Sequence, residues 1–216
     1  MDFIIKNHRF LPGLFLAGLF IFPGISHAGE AAKDLTPLAN HAAYIEKTLQ
    51  APARPVSMRG VRFSSRDFTL RVVDNPGGEK WLLATAMRET GALAGTNGGY
   101  FHEDFRPLGL VIIDGKTTNS LRQARLLSGI ITAGTDGIDL VRPAEAFPSG
   151  VADALQAGPF LVDRGKPVPG LDPNRVARRT FVATDGHRNW FLGNLGPCTL
   201  AEAGAALATV VGVLIE

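Results

Sequence analysis

Four short turns constrain this chain more than any other feature: Asp114-Gly115, Thr135-Asp136-Gly137, Asp163-Arg164-Gly165-Lys166 and Asp185-Gly186-His187-Arg188. Each lies against apolar or alternating runs. Residues 108–113 lead into the first, and 128–133 and 138–141 flank the second. Residues 160–162 and Val168 flank the third, and 180–184 and 190–192 the fourth. Asp-Gly and related pairs favour the left-handed backbone of tight hairpin turns, so each run is predicted to pair antiparallel with its neighbour. Phe68, Leu70 and Val72 alternate with Thr69, Arg71 and Val73 and predict one more strand, closed by Asn75-Pro76-Gly77-Gly78.

Helix signals are fewer. Thr36-Pro37 reads as an N-cap with proline at the first helical position, and Leu38, Ala42, Ile45 and Leu49 follow at helical spacing, predicting a helix over 37–50. Residues 80–90 are rich in helix formers, with Gly91 placed as a C′ glycine. Thr199-Leu200-Ala201-Glu202 is a capping box opening an Ala-rich helix to about Thr209, and 210–215 predicts a buried strand. The fold expected is α+β: a single domain with a mostly antiparallel, hairpin-rich sheet and a few packed helices.

A length of 216 residues suits one domain, and a net charge of +2 gives no reason to expect nucleic acid or an anionic membrane as partner. Lys6, His8 and Arg9 form a basic region, 10–25 an apolar one interrupted by Pro12 and Pro23, and Ser26-His27-Ala28 a small-residue site. That order predicts a signal peptide over 1–28, export to the periplasm or beyond, and no stable membrane span after cleavage. The remainder divides into an N-terminal helix and linker, 29–55, and a main domain, 56–216. Cys198 is the only cysteine, which rules out an intrachain disulfide; a small buried thiol is the expectation there. The chain has no H-E-x-x-H, cysteine pair or calcium-loop pattern, so neither metal nor cofactor is expected.

Thr96-Asn97-Gly98-Gly99-Tyr100-Phe101 is the candidate binding loop. Its two glycines allow close backbone approach, Asn97 both donates and accepts, and Tyr100 and Phe101 offer flat apolar surface beside polar backbone. That mixture suits a sugar. A tight Asn-Gly turn with core aromatics behind it is the plainer alternative.

The order of the pieces carries a resemblance. A strand and a helix lead to 94–101, then to Pro107-Leu108-Gly109-Leu110 with 111–116. Gln156-Ala157-Gly158-Pro159-Phe160 with Gly165-Lys166 follows, then Arg179-Thr180 opening a strand that turns at Asp185-Gly186. This resembles the phosphodiester glycosidase family, which includes N-acetylglucosamine-1-phosphodiester α-N-acetylglucosaminidases. The likeness covers roughly residue 68 onward. The chain departs from the family in one respect. Members continue past the last strand into an asparagine-leucine-aspartate-glycine-glycine loop, and Glu216 lies where that loop begins, so the resemblance implies a missing C-terminal end.

The resemblance implies an exported hydrolase that cleaves a sugar-1-phosphodiester in a glycan or envelope polymer. Such a reaction needs cationic donors for the phosphodiester and a carboxylate for the oxocarbenium-like transition state. Arg179 is the candidate phosphate ligand, Arg178 facing away from it along a strand; Arg106 and Lys116 are secondary. Glu103 and Asp104, just past the glycine loop, are the candidate carboxylates. His102 is a possible proton carrier, and His187 reads as an exposed turn residue. Asn97, Gly98, Gly99, Tyr100, Phe101, Gly109 and Gly158 are the expected substrate-binding residues. Asp114 and Asp185 read as turn residues. A non-catalytic glycan-binding module, or an inactive truncated copy, is the alternative.

Overall fold

The computed structural model describes residues 2–7, 35–74, 82–104, 106–145 and 147–210. The strands are β1 Asp2–Asn7, β2 Leu35–Ala39, β3 Ala42–Gln50, β4 Pro55–Ser64, β5 Phe68–Val73, β6 Ala94–Asn97, β7 Val111–Ile113 and β8 Lys116–Asn119. They continue with β9 Gly129–Gly134, β10 Gly137–Val141, β11 Val151–Ala157, β12 Val162–Asp163, β13 Lys166–Pro167, β14 Ala177–Thr184 and β15 Asn189–Cys198. The described helices are α1 Leu83–Thr90 and α2 Leu200–Ala208. Neither is long and apolar enough to cross a membrane.

The α+β expectation is overturned. Strands account for 51% and helices for 10% of the structure, in four antiparallel sheets. Their orders are β5-β1-β6, β10-β9-β11-β7-β8, β12-β13 and β14-β15-β4-β3-β2. Part of the excess strand comes from 37–50, where the expected helix is instead the hairpin β2–β3, turning through His41 with φ of 58°; β1, β4 and β11 supply the other larger strands of that excess. The reason lies in the spacing. Ile45 and Leu49 are four apart, which puts them on one face of a helix and equally on one face of a strand. β3 is sandwiched: Ala42 packs into one core and Ile45 and Leu49 into another.

The four hairpin turns hold: β7–β8, β9–β10, β12–β13 and β14–β15 each pair antiparallel across the expected residues. The strand at 68–73 and the short run into Asn97 are β5 and β6. α1 ends on Gly91 in the left-handed conformation, and α2 opens on the full Thr199–Glu202 capping box. The expected turn at 75–78 and strand residues 211–215 lie outside the described residues, as do 8–34 of the expected leader.

The first residues of the chain are part of the core. β1 pairs antiparallel with β5 on one side and β6 on the other, and Phe3, Ile4 and Ile5 are buried. β5 and β6 therefore run parallel, joined through α1, with β1 between them.

Two cores form around the five-stranded sheet of β14-β15-β4-β3-β2. One face packs Val61, Phe63, Trp190 and Leu192 against Phe3, Leu70, Ile131 and Leu155. The other packs Met58, Phe181 and Phe191 against α2 through Ala203, Ala206 and Leu207. Asp153, 2% exposed, ties β11 to β5: its Oδ2 accepts from Arg71 Nε at 2.6 Å and its Oδ1 from the Val72 N–H at 3.1 Å. Arg71 also bonds Asp114 at the β7–β8 turn.

Candidate active site

β6 ends at Asn97 and releases the chain into Gly98 and Gly99. Close packing requires glycine at Gly98: a Cβ there would stand 2.6 Å from Leu155 Cδ2 and 3.0 Å from Phe3 Cδ2. Gly99 follows with φ of 62°, a left-handed backbone that side-chain-bearing residues rarely adopt. The loop thus lies flat on β11 and β1 and turns Asn97 and Tyr100 outward.

Tyr100 Oη donates a 2.8 Å hydrogen bond to the Gly158 carbonyl, joining the glycine loop to the turn after β11. Burial pushes the phenol up and the nearby Arg179 and Arg175 pull it down; burial prevails, so Tyr100 keeps its proton and remains a donor. Gly158 has φ of 142° and precedes a cis bond to Pro159; a Cβ on it would meet the Leu126 carbonyl at 2.7 Å. Beside it, Gln156 is 1% exposed and fully bonded. Its Oε1 accepts from the N–H groups of Leu110 and Arg122 at 2.9 and 3.0 Å, and its Nε2 donates to the carbonyls of Arg122 and Leu127 at 2.7 and 2.8 Å.

β14 brings the third part. Thr180 Oγ1 lies 2.9 Å from Asn97 Oδ1 and 3.1 Å from Asn194 Oδ1 on β15. Both partners are amide oxygens, which accept, and the hydroxyl has one proton to donate between them. Arg179 is half-buried and held by backbone: its Nε donates to the Cys198 carbonyl at 3.3 Å and its Nη2 to the Arg175 carbonyl at 2.6 Å. The Nη1–Nη2 edge of the fork keeps N–H groups for an anion, and the guanidinium is close enough to Tyr100 to act on its phenol.

These groups line one cleft of about 1220 Å³. Asn97, Gly98, Gly99, Tyr100 and Phe101 form one wall, Gly158 to Phe160 another, and Arg178, Arg179, Thr180 and Asn194 a third. Tyr100 and Phe101 are 37% and 60% exposed. The cleft therefore combines hydrogen-bonding amides, a cationic edge and partly exposed aromatic surface, which are the groups a sugar phosphate needs.

A model of the Phosphodiester glycosidase family matches residues 90–213. The chain belongs to the phosphodiester glycosidase family. The matched span runs from the end of α1 past α2 and contains all three walls; the further lining residues Phe3 and those of β3 and β4 precede it. Membership implies a sugar phosphodiester as substrate. A search of curated proteins found no match.

In this phosphodiester glycosidase domain, the expected residues divide. Asn97, Gly98, Gly99, Tyr100, Phe101, Gly158 and Arg179 meet at the cleft. Gly109 does not line it: a Cβ there would stand 2.8 Å from Gln156 Cβ, and its carbonyl accepts from Asn119 Nδ2 at 2.7 Å. Glu103 and Asp104 are exposed in the turn beyond Phe101 and are absent from the cleft wall. Asp104 accepts from the Arg106 N–H and from Arg106 Nε at 2.7 Å, and these bonds hold its carboxyl below the usual range. His102 and Lys116 also lie away from the cleft.

Asp185 does line it, but its carboxylate serves its own turn, accepting from the His187 N–H and from Asn189. Cys198 is buried, and burial pushes its thiol up despite the neighbouring Arg179, as suits a packing residue. Asn194 and Arg59 line the cleft and had no motif to mark them. The available signal was alternation: Thr180 fixes which face of β14 meets the loop, and strand pairing then selects its neighbours.

Proposed function

We propose that the chain is an exported hydrolase acting on a sugar-1-phosphodiester of a glycan or envelope polymer. Water adds to the anomeric carbon, the bond from that carbon to the phosphate oxygen breaks, and free sugar and a phosphomonoester leave. The proton of the attacking water passes to a base and then to solvent. The observation that carries the reading is the convergence of Asn97, Tyr100, Thr180 and Arg179 on one cleft in a chain of this family.

Each group has a role. The free edge of Arg179 receives the phosphodiester oxygens; Asn97, oriented by Thr180, bonds a sugar hydroxyl; Tyr100 and Phe101 pack on the ring. Of the two candidate carboxylates, Asp104 is engaged by Arg106. Neither Asp104 nor Glu103 lines the cleft, so neither is assigned the base. Support for export comes from the leader-like order of 1–28; the burial of Phe3, Ile4 and Ile5 in β1 argues against removing it.

Hydrolysis in ¹⁸O-labelled water tests the bond assignment. Label in the released sugar, with none in the phosphomonoester, is expected; label in the phosphate would make the enzyme a phosphodiesterase of another kind. A non-catalytic glycan-binding module is favoured by one observation, the position of Glu103 and Asp104 outside the cleft wall. It predicts that Glu103→Gln leaves binding intact and that no variant, nor the unaltered chain, turns substrate over.

A further inference from the structure

The sheet face that carries Thr180 turns polar along a single row. Thr180 on β14 stands opposite Asn194 on β15, Asn194 opposite Arg59 on β4, and Arg59 opposite Glu46 on β3. Directly opposed residues on neighbouring strands present their side chains to the same face. Two residues along each strand, the next row on that face is Val182, Leu192, Val61 and Tyr44, which belongs to the core. The face therefore changes from packed core to polar floor in one step, and all four polar residues line the cleft that holds Asn97 and Tyr100.

Arg59 is the unusual member of the row. It is exposed, and among the described residues its guanidinium has no hydrogen-bond acceptor and no ion pair. Glu46 stands directly across from it, yet the carboxylate of Glu46 accepts instead from Tyr44 Oη, at 3.4 Å. A guanidinium on the floor of a cleft, with a carboxylate beside it that it does not engage, retains its full fork for a ligand.

We propose that Arg59 is an anion-binding residue that selects for the leaving side of the substrate. The sugar sits at Asn97 and Thr180, the scissile phosphodiester meets Arg179, and the alcohol portion runs over Asn194 to Arg59. A second negative charge on that portion, a carboxylate or a phosphate, is what Arg59 takes. Arg59 lies two ladder steps from Thr180, about 10 Å, so the charge it reads is separate from the scissile phosphate. This inference rests on the phosphodiester-hydrolase reading for the order of the subsites. Asn194, bonded to Thr180, acts as a positioning residue between the two ends.

The test compares two diesters of the same sugar-1-phosphate, one with a methyl group as alcohol portion and one with a 2-carboxyethyl group. Both are titrated calorimetrically into the full chain and into Arg59→Gln and Arg59→Lys, and turnover is followed in parallel. Arg59→Gln is expected to weaken the carboxyethyl diester about 10-fold, the size of one lost charge-assisted contact. It is expected to leave the methyl diester unchanged, and Arg59→Lys is expected to recover part of the loss.

Equal effects on both diesters, or none, would overturn the proposal, as would failure of the unaltered chain to bind the charged diester. Binding without turnover would sink the hydrolase reading while the affinity ratio still scores Arg59. Circular dichroism of each variant confirms that this exposed substitution leaves the fold intact.

Discussion

Thr180 Oγ1 stands 2.9 Å from Asn97 Oδ1, and this one contact joins β14 to the glycine loop across 83 residues of chain. Removing the hydroxyl while keeping the shape isolates it. Thr180→Val leaves the amides of Asn97 and Asn194 without their shared partner and is expected to lower kcat/KM by about 10-fold, the size of one lost hydrogen bond. Steady-state kinetics on a sugar-1-phosphodiester reads this, and an unchanged kcat/KM would remove Thr180 from the site.

Gln156 supports the same site from behind. It satisfies two N–H groups and two carbonyls in the segment from Leu110 to Leu127, next to Gly158. Gln156→Leu fills the space but leaves those groups unpaired in the interior. Each unpaired group costs about 1–3 kcal/mol, so the variant is expected to lose about 3 kcal/mol or more in urea unfolding. A loss under about 1 kcal/mol would mean that water replaces the amide.

The capping box of α2 gives a pH signature. The Thr199 N–H first, then Arg54, hold the Glu202 carboxyl below its ordinary value. A carboxyl lowered in the folded state stabilises the fold above its unfolded pKa of about 4.3, and that contribution fades as pH falls through the folded value. Glu202→Gln keeps a side chain able to close the box but carries no charge. The Tm difference between the two proteins is expected to be widest near neutral pH and to close below about pH 4. A constant difference across that window would show that the charge contributes nothing.

β1 sets up a direct conflict between leader and fold. Cleavage after Ala28 would remove Asp2–Asn7 and leave β5 and β6 with facing unpaired edges and a hole where Phe3 and Ile5 pack. A chain beginning at Gly29 therefore needs another strand in that place, and without one it is expected to lose its cooperative thermal transition. An unchanged Tm for that shortened chain would show that β1 is dispensable.

The residues that made this fold legible were those with local geometric demands. Asp114-Gly115 and its three counterparts, Gly91 and Thr199 each specify a backbone conformation within a few residues, and each stands where expected. The segment 37–50 misled because an i, i+4 apolar pair satisfies both periods, and only pairing with β4 decides between them. The glycine loop, Gly158 and Arg179 were legible as motifs. Arg59 and Asn194 were not, because their place follows from the register of β14-β15-β4, a non-local property. Glu103 and Asp104 show the converse: adjacency to Phe101 in sequence did not bring them to the cleft wall.

The central claim is hydrolysis of a sugar-1-phosphodiester in the cleft where Arg179 meets the glycine loop. The most direct measurement is the rate of reducing-sugar release from such a diester by the full chain and by Arg179→Ala. Release by the unaltered chain, and a rate at least about 100-fold lower in Arg179→Ala, is the predicted result, since the variant removes the cation facing a charged leaving group. Equal rates in the two proteins, or binding of the diester with no sugar released by either, would contradict it.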